Sequence, residues 1–181
     1  YFVLTSLFET GRARAEETTL DVDRRIMELN YFAVVSLTKA VLPGMVARNT
    51  GHLVVVSSVA GYVGTKRRTA YAATKHAVRG YFDSLRAEVA ERGVGVTIVC
   101  PGYVQTEISS SAMLGDGGTS GSTDVNIARG IPADQAARAI LRGVLRGQHE
   151  VYVGGKEIAA IYLKRFFPRL LARIVRKMPE V

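Results

Sequence analysis

A tyrosine and a lysine four positions apart, Tyr71 and Lys75, have the residue types and the spacing needed for acid/base chemistry. A phenol is a poor acid or base at neutral pH, because its ordinary pKa is about 10. A nearby ammonium group stabilises the phenolate and lowers that pKa toward the working range of an enzyme. Side chains four residues apart share one face of a helix, and the intervening Ala72 and Ala73 favour a helix. We therefore predict that Tyr71 and Lys75 form a proton-transfer couple.

A second pair, Tyr62 and Lys66, has the same spacing but does not support the same prediction. The residues between them are Val63, Gly64 and Thr65, and all three types disfavour a helix. Without a helix the two side chains are not brought together. Tyr71 is the stronger candidate.

Other polar residues follow the predicted strands. The segment His52–Ser58 is short, β-branched and apolar almost throughout, which is typical of a strand buried on both faces, and Val94–Cys100 has the same character. Ligands of open α/β sheets bind beyond the carboxyl ends of the strands. Ser57-Ser58 and Pro101-Gly102 would both lie at that edge. On its own, a Ser-Ser pair at a strand end is more often a turn that binds its own backbone.

The remaining elements alternate in a way that predicts an α/β fold with a parallel sheet. Thr18-x-x-Asp21 resembles a capping box and should start a helix, which Pro43 would kink or end, with a last turn reaching Arg48. The predicted helices are residues 20–42, 69–92 and 132–146, and the predicted final strand is Glu150–Val153. Residues 1–17 show no clean period, and Gly11 with the polar run Arg12–Glu17 is expected to form a loop. Residues 112–126, rich in Gly, Ser and Thr, are expected to be a mobile lid or a disordered loop.

Composition fits one domain with a proper core, because 48% of the 181 residues are hydrophobic. Cys100 is the only cysteine, which excludes an internal disulfide, and no residues have metal-ligand spacing, so no metal site is predicted. No apolar run approaches the ~20 residues of a membrane span, and the first residues lack the features of a signal peptide. The sequence starts without an initiator methionine and is typical of a chain entered in its middle.

The net charge of +8 comes mainly from residues 156–181, which hold seven Lys and Arg residues against two Glu residues. Phe167, Leu171, Ile174 and Met178 recur there at helical steps, and Pro168 should separate two helical pieces. This tail could lie on an anionic membrane surface or cover an apolar substrate entrance. It could equally pack on its own domain and keep a solvated basic face. Nucleic-acid binding is not predicted, because no aromatic platform or reading helix accompanies the charge.

Four motifs, in this order, make the sequence similar to the short-chain dehydrogenase/reductase family. They are Leu29-Asn30-Tyr-Phe-Ala33, Val54-Val-Val-Ser57-Ser58-Val-Ala-Gly61, Tyr71-Ala-Ala-Thr-Lys75 and Cys100-Pro101-Gly102-Tyr-Val-Gln-Thr106. The resemblance covers about residues 20–153, although the family commonly has glycine where Ala33 stands. The Lys-His-Ala-Val-Arg-Gly run and the tail's Phe-Phe-Pro-Arg are similar to the branch of dehydrogenase/reductase member 7 and its relatives.

The resemblance implies a role for each matching residue. Tyr71 would protonate a carbonyl oxygen or accept the proton of an alcohol. Lys75 would lower the pKa of Tyr71 and bind the nicotinamide ribose, and Ser58 would donate a hydrogen bond to the substrate oxygen. Asn30 would fix a water molecule that relays protons to Lys75. The turn would meet the nicotinamide carboxamide through Pro101, Gly102, the Val104 backbone and the Thr106 hydroxyl.

The resemblance also implies a Rossmann-like, doubly wound parallel sheet with helices on both faces. Residues 1–155 would be the C-terminal portion of the catalytic domain, without its N-terminal strands, and residues 156–181 a basic amphipathic helical tail. The family's glycine-rich turn, which holds the cofactor pyrophosphate, does not occur in the sequence. We expect the isolated chain to be inactive, to bind nicotinamide cofactor poorly and to aggregate.

The resulting hypothesis is an NAD(P)-dependent oxidoreductase that interconverts a carbonyl and a secondary alcohol, with lipophilic steroid- or retinoid-like molecules among the candidate substrates. NADP is the expected cofactor and NAD its alternative. The family implies a homodimer paired through the two long helices, and the branch implies an endoplasmic reticulum membrane, with the cytoplasm as the alternative. The competing hypothesis is a non-catalytic fragment or pseudo-enzyme that acts as an interaction protein, because the glycine-rich motif is missing.

Overall fold

Four parallel strands form a single sheet in the computed structural model, which describes residues 2–5, 9–107, 110–122 and 124–180. The strands are β1 (Phe2–Thr5), β2 (Gly51–Val56), β3 (Val94–Pro101) and β4 (Glu150–Val153). They lie side by side in the order of the sequence. Within the register, Val3 pairs with Leu53, Leu53 with Val96, and Cys100 with Tyr152. The predicted parallel α/β sheet is confirmed, with the second, third and fourth strands close to their predicted bounds.

The two central strands are buried on both faces, as their continuous apolar sequences predict. Leu53 and Val55 of β2 pack in a large cluster with Val78 and Phe82, whereas Val54 faces a second cluster on the other side of the sheet. Alternation along the strand sends successive side chains to opposite faces. Helices therefore cover both faces of the sheet.

One face is covered by a continuous helical segment from Leu20 to Ala47 and by the helix that follows β2. The segment comprises α1 (Leu20–Met27), a π-helical turn (Glu28–Phe32) and α2 (Ala33–Ala47). Pro43 lies inside α2, which continues for one more turn as predicted. The predicted N-cap is wrong by one residue, because the side chain of Thr19 accepts the Val22 N–H, whereas Thr18 binds the Arg14 carbonyl.

By length and composition alone, the helix Leu20–Ala47 could cross a membrane, although its sequence has no apolar run long enough to predict a span. Core helices of soluble proteins can have the same length and apolar composition. Ile26 and Val34 are almost fully buried in clusters with residues of other elements. Only 22% of its most apolar 18-residue window is buried, so most of that window lies outside the packed clusters.

The helix that carries Tyr71 and Lys75 is α3 (Thr69–Val89), and a 3-10 turn (Ala90–Arg92) extends it. Gly93 ends it with a φ of 63°, and a Cβ there would lie 2.1 Å from the Asn49 carbonyl oxygen. Glycine is required at this position on both grounds. The predicted span of residues 69–92 is confirmed.

The remaining helices are short. A four-residue helix α4 (Val125–Ala128) precedes α5 (Ala133–Leu145), which covers the other face of the sheet and agrees with the predicted helix at residues 132–146. In the tail, α6 (Ala159–Phe166) and α7 (Pro168–Lys177) meet at Pro168, as predicted. Ile161 and Leu171 are buried, and the Tyr162 ring of α6 lies edge-on to Tyr152 of β4. The division at residue 155 stays a prediction.

The strand β1 was not predicted. Residues 1–17 show no clean period, but the backbone of Phe2–Thr5 pairs with β2 along four residues. A four-residue strand lacks a resolvable sequence period, and its partner is far away in the chain.

The expectation of a mobile lid or disordered loop at residues 112–126 does not hold for its first residues, which are packed and hydrogen-bonded. Ala112 and Met113 are buried, and Met113 exchanges backbone hydrogen bonds with Thr10 and Arg12. A Cβ on Gly115 would lie 2.1 Å from the Glu17 carbonyl oxygen. The glycine therefore permits a close contact between two segments and does not indicate mobility.

Candidate active site

Tyr71 and Lys75 lie one turn apart on α3, at the carboxyl ends of β2 and β3. The Lys75 Nζ lies 5.6 Å from the centre of the Tyr71 ring, so the predicted juxtaposition is confirmed. Lys75 is 1% exposed, and its Nζ donates a hydrogen bond to the Val56 carbonyl at 3.1 Å. The ammonium is thereby held against the end of β2.

Burial lowers the pKa of the Lys75 amine to about 8, because a charged group is less stable away from water. A pKa of about 8 still leaves the amine mostly protonated at neutral pH. Lys75 can therefore supply a positive charge in the interior of the site, and it lies close to the pH at which it would lose that charge.

Burial raises the pKa of the Tyr71 phenol above its ordinary value, and this is the largest influence on it. The hydrogen bond that Tyr71 shares with Ser58 and the charge of Arg68 act in the opposite direction but are smaller. The spacing of the pair predicts that Lys75 lowers this pKa. That influence of Lys75 stays a prediction, and the net direction of the Tyr71 pKa in the structure is upward. Burial destabilises the phenolate by more than the Ser58 hydrogen bond and the Arg68 charge stabilise it. The phenol is thus held in its protonated form.

Ser58 connects the end of β2 to Tyr71 and to the turn after β3. Its Oγ donates to the Pro101 carbonyl at 3.2 Å and accepts the Ala60 N–H at 3.1 Å, which caps a 3-10 turn, Val59–Gly61. The local turn interaction that Ser-Ser pairs usually make is therefore present. The same hydroxyl also shares a hydrogen bond with Tyr71. Ser58 therefore both stabilises the local turn and contacts the candidate proton donor.

Asn30 is fully buried in the π-helical turn between α1 and α2. Its Oδ1 accepts the Glu9 N–H at 2.6 Å, and its Nδ2 donates to the Glu9 carbonyl at 2.7 Å and to the Thr74 Oγ1 at 3.2 Å. Both amide hydrogens are used by protein groups, so a relaying water would have to donate to Oδ1. The water relay stays a prediction, and the structure adds a role in holding Glu9 beside α3.

The turn Pro101–Thr106 leaves β3 and crosses the same edge of the sheet. The Gly102 N–H donates to the Val153 carbonyl at 2.7 Å, and Val104 forms a β-bridge with Ile131. The Thr106 side chain is exposed, and its Oγ1 lies 3.5 Å from the Val104 carbonyl oxygen. The structure brings Pro101 to Ser58 and leaves the Thr106 hydroxyl at the open end of the turn.

Glu157 is a residue of this site that no sequence motif predicted. Its Oε1 accepts the Tyr103 N–H at 2.8 Å and the Gly155 N–H at 2.9 Å, which joins the turns after β3 and β4. A Cβ on Gly102 would lie 2.1 Å from the same oxygen, and one on Gly154 would lie 2.4 Å from it. The two glycines could have indicated a close approach, but not by which side chain.

Arg68 and Asp124 form a second unpredicted feature. The Arg68 Nη2 lies 3.2 Å from the Asp124 Oδ2, and the two side chains are 14% and 5% exposed. Arg68 also donates to the Thr10 Oγ1. Its position three residues before Tyr71 was visible in the sequence, but a partner in the Gly- and Ser-rich segment was not.

Tyr62 and Lys66, the alternative pair, do not resemble the first pair in the structure. Tyr62 follows the 3-10 turn and lies outside any α-helix. Its hydroxyl donates to Glu150 at 2.6 Å, and the Arg79 guanidinium carbon lies 3.5 Å from the centre of its ring. Burial and this hydrogen bond raise the pKa of the Tyr62 phenol. Its rejection on helix propensity is confirmed.

Comparisons with known proteins agree with this arrangement. A family model described as short chain dehydrogenase matches residues 7–115. The chain belongs to this family. It is 41% identical over 165 residues to "Dehydrogenase/reductase SDR family member 7B" of Rattus norvegicus, covering 91% of this chain and 51% of that protein. It is 41% identical over 167 residues to "Dehydrogenase/reductase SDR family protein 7-like" of Drosophila melanogaster, covering 92% and 51%. The predicted branch is thereby supported, and the chain spans about half the length of the curated relatives it matches.

Solved structures of short-chain dehydrogenases share the fold. One from Burkholderia cenocepacia, in complex with NADP, superposes with a TM-score of 0.81 at 22% identity and covers 98% of this chain and 69% of its own. One from Streptomyces avermitilis gives a TM-score of 0.76 at 25% identity, covering 97% and 68%. The Rossmann-like fold class is confirmed, and the solved chains contain further structure that this sequence does not match.

Proposed function

We propose that the protein is an oxidoreductase that interconverts a carbonyl and a secondary alcohol by hydride transfer, with Tyr71 as proton donor or acceptor. The observation that carries the proposal is the meeting of Tyr71, Lys75 and Ser58 at one edge of the sheet. Family membership and relatives named dehydrogenase/reductase support it. The chain spans about half the length of those relatives. The proposal therefore concerns the activity of the whole protein.

Each of the three side chains has a separate role in the proposed reaction. A phenol that stays protonated at neutral pH can give its proton to the oxygen of a ketone as that oxygen gains charge. Ser58 can donate a hydrogen bond to the same oxygen if its hydroxyl turns from the Pro101 carbonyl. The Lys75 ammonium stabilises the phenolate left behind.

A nicotinamide cofactor would supply the hydride when bound. Lys75 and Asn30 would lie on its ribose side, and the turn with Pro101, Gly102, Val104 and Thr106 would hold its carboxamide. The exposed Thr106 hydroxyl fits this assignment. The sequence contains no glycine-rich turn for the pyrophosphate, so the residues of this chain suit only the nicotinamide half.

NADP is the proposed cofactor, with NAD as the alternative. The support is that the Burkholderia cenocepacia dehydrogenase, which shares the fold, was solved in complex with NADP. A direct comparison of NADPH- and NADH-dependent turnover decides between them, and higher kcat/KM with NADH would contradict the proposal.

A lipophilic substrate, such as a steroid- or retinoid-like ketone, is supported by the branch resemblance and by the exposed apolar residues of the tail. We also propose that the tail contacts a membrane, which would bring such a substrate to the protein, and that the membrane is that of the endoplasmic reticulum. Localisation of a tagged protein to the soluble cytoplasm would contradict this.

A homodimer is proposed through the helical segment Leu20–Ala47 and α3. Phe32 and Leu37 on that segment are 51% and 45% exposed, and exposed apolar side chains of this size are typical of an interface. Replacing Leu37→Asp should convert a dimer to a monomer in size-exclusion chromatography with light scattering. A wild-type protein that is already monomeric would refute the proposal.

The central test is turnover of a panel of ketones by the full-length protein and by its Tyr71→Phe variant. Loss of a positioned proton donor should reduce kcat by roughly 10²–10⁴-fold and leave cofactor binding unchanged. Tyr62→Phe is a matched control, because it removes the same atom from the rejected motif and should keep near-normal turnover. Full activity of Tyr71→Phe would exclude the proton-transfer role.

The competing proposal is a non-catalytic interaction protein that keeps this part of the fold. It predicts no turnover by the wild-type full-length protein with any ketone or either cofactor. Turnover that depends on Tyr71 eliminates it.

A further inference from the structure

The junction of α6 and α7 exposes large apolar side chains. Phe166 is 69% exposed and Phe167 is 62% exposed, next to Pro168, where the chain changes direction. Leu170 and Ile174 continue the exposed set along α7 at 47% and 43%. These four side chains define the tail surface. Adjacent exposed apolar residues of this size are typical of a binding surface.

The tail surface is surrounded by positive charge. The segment from Ile158 to Pro179 contains six basic residues and no acidic one. All six are exposed: Lys164, Arg165, Arg169, Arg173, Arg176 and Lys177. Such a segment combines apolar side chains for burial with cations for an anionic partner.

Part of α7 is already used for packing, which distinguishes the tail surface from a wholly apolar helix face. Leu171 is 5% exposed and Val175 is partly buried, so one side of α7 is covered by other parts of the protein. The helical steps in the sequence group Phe167, Leu171 and Ile174 on one apolar face. The structure separates them, because Leu171 turns inward while Phe167 and Ile174 remain in contact with solvent.

The end of the tail is attached to segments next to the candidate active site. The Glu180 carboxylate pairs with the Arg14 guanidinium at 3.0 Å, and the Lys66 Nζ donates to the Met178 carbonyl at 3.0 Å. Lys66 lies five residues before Tyr71. The end of the tail therefore lies beside the segment that leads into α3.

We propose that the tail surface docks on the anionic face of a lipid bilayer, with Phe166 and Phe167 inserted between headgroups. The proposal specifies the membrane contact stated in the proposed function and rests on it. Aromatic side chains favour the boundary between headgroups and acyl chains, and lysine and arginine are attracted to acidic lipids.

A second copy of this chain is a poorer occupant. Pairing the tail surface with itself would bring six cations against six like charges with no carboxylate between Ile158 and Pro179 to offset them. Anionic lipid supplies the opposite charge and an apolar layer together.

The test measures co-sedimentation of the full-length protein with vesicles of phosphatidylcholine alone or mixed with phosphatidylserine. Binding should require phosphatidylserine and weaken as salt is added. The double variant Phe166→Ser/Phe167→Ser should bind roughly tenfold or more weakly, because two apolar side chains no longer leave water.

The matched control is Leu141→Ser/Leu145→Ser on α5. These leucines are 58% and 68% exposed and also neighbour arginines, Arg142 and Arg146. The control variant should bind vesicles as the wild type does. Equal loss in both variants, or equal binding to neutral vesicles, overturns the proposal. So does loss of self-association or of nucleic-acid binding, rather than vesicle binding, in the phenylalanine variant.

Circular dichroism of both variants shows whether they are folded, and a shortened variant ending at Lys164 gives a second measure if the phenylalanine variant is not. Turnover of a water-soluble ketone without vesicles tests the catalytic proposal separately. Vesicle binding without turnover would leave the docking surface standing, and turnover without vesicle binding would refute only the docking surface.

Discussion

The amine of Lys75 is held in the interior with a pKa of about 8, which places its charge near the point of loss. Its carbonyl partner at the end of β2 is a neutral acceptor, so burial dominates. This position makes Lys75 useful as a local charge and costly to the folded state. Burial of this cation lowers the stability of the folded protein, although the same charge serves the proposed reaction.

The stability of the protein should therefore depend on pH through Lys75. Below pH 8 the amine is protonated in both the folded and the unfolded chain. Between about pH 8 and 10.5 the folded chain loses the proton first, the unfolded chain binds more protons, and stability rises with pH. Relative to a Lys75→Met variant, the free energy of unfolding should increase across this window by about 3 kcal/mol.

Urea unfolding of wild type and Lys75→Met at pH 7.5 and pH 10 measures this difference. Subtracting the variant's free energy of unfolding from that of the wild type cancels the contributions of other groups that titrate. Lys39→Met, which removes an exposed lysine from α2, is the control variant. A difference between wild type and Lys75→Met that does not change with pH would show that the amine is hydrated in the folded protein.

Residue spacing predicted the pairing of Tyr71 with Lys75 because helix geometry is local. It did not predict that the pKa of Tyr71 is raised, since that depends on how much of the ring the rest of the fold covers. Ser58 was predicted from its place at a strand end. Glu157 was not, because its two donors belong to turns that only the sheet brings together.

Among the elements, the turn after β3 depends on Glu157 for its position. Replacing Glu157→Ala leaves the Tyr103 and Gly155 N–H groups without their acceptor and should destabilise the protein by about 2 kcal/mol. Glu157→Gln keeps an acceptor oxygen at nearly the same place and should cost much less. Urea unfolding of the two variants makes the comparison. If Gln is as damaging as Ala, the carboxylate charge rather than the hydrogen bonds is what matters.

The ends of elements were predicted well where a local residue determines them, as at Gly93 and Pro168. The strand β1 and the packed segment around Met113 were not, because each is stabilised by a distant partner. Low-complexity composition predicted mobility for that segment, but it does not reveal the buried Ala112 and Met113 or their hydrogen-bonded partners.

At the scale of the whole molecule, the proton-transfer groups are present in this chain and a pyrophosphate-binding turn is not. We predict that the 181-residue chain alone binds NADPH much more weakly than the full-length protein does, by roughly 10²-fold or more, because backbone N–H groups at a helix start hold the diphosphate. A fluorescence titration of both proteins gives the two dissociation constants. Tight, saturable binding by the 181-residue chain would contradict this.

The sheet order β1-β2-β3-β4 also determines how the protein opens. The pair β2 and β3 forms the longest ladder, lies between two neighbours and is covered on both faces, so its amides should be among the slowest to exchange with solvent. The edge strands β1 and β4 can fray separately. Ser58 and Pro101 follow directly from the central pair, and their contact persists through such partial openings. Lys75 of α3 donates to the Val56 carbonyl at the end of β2, so the acid/base couple is attached to this slowly exchanging pair.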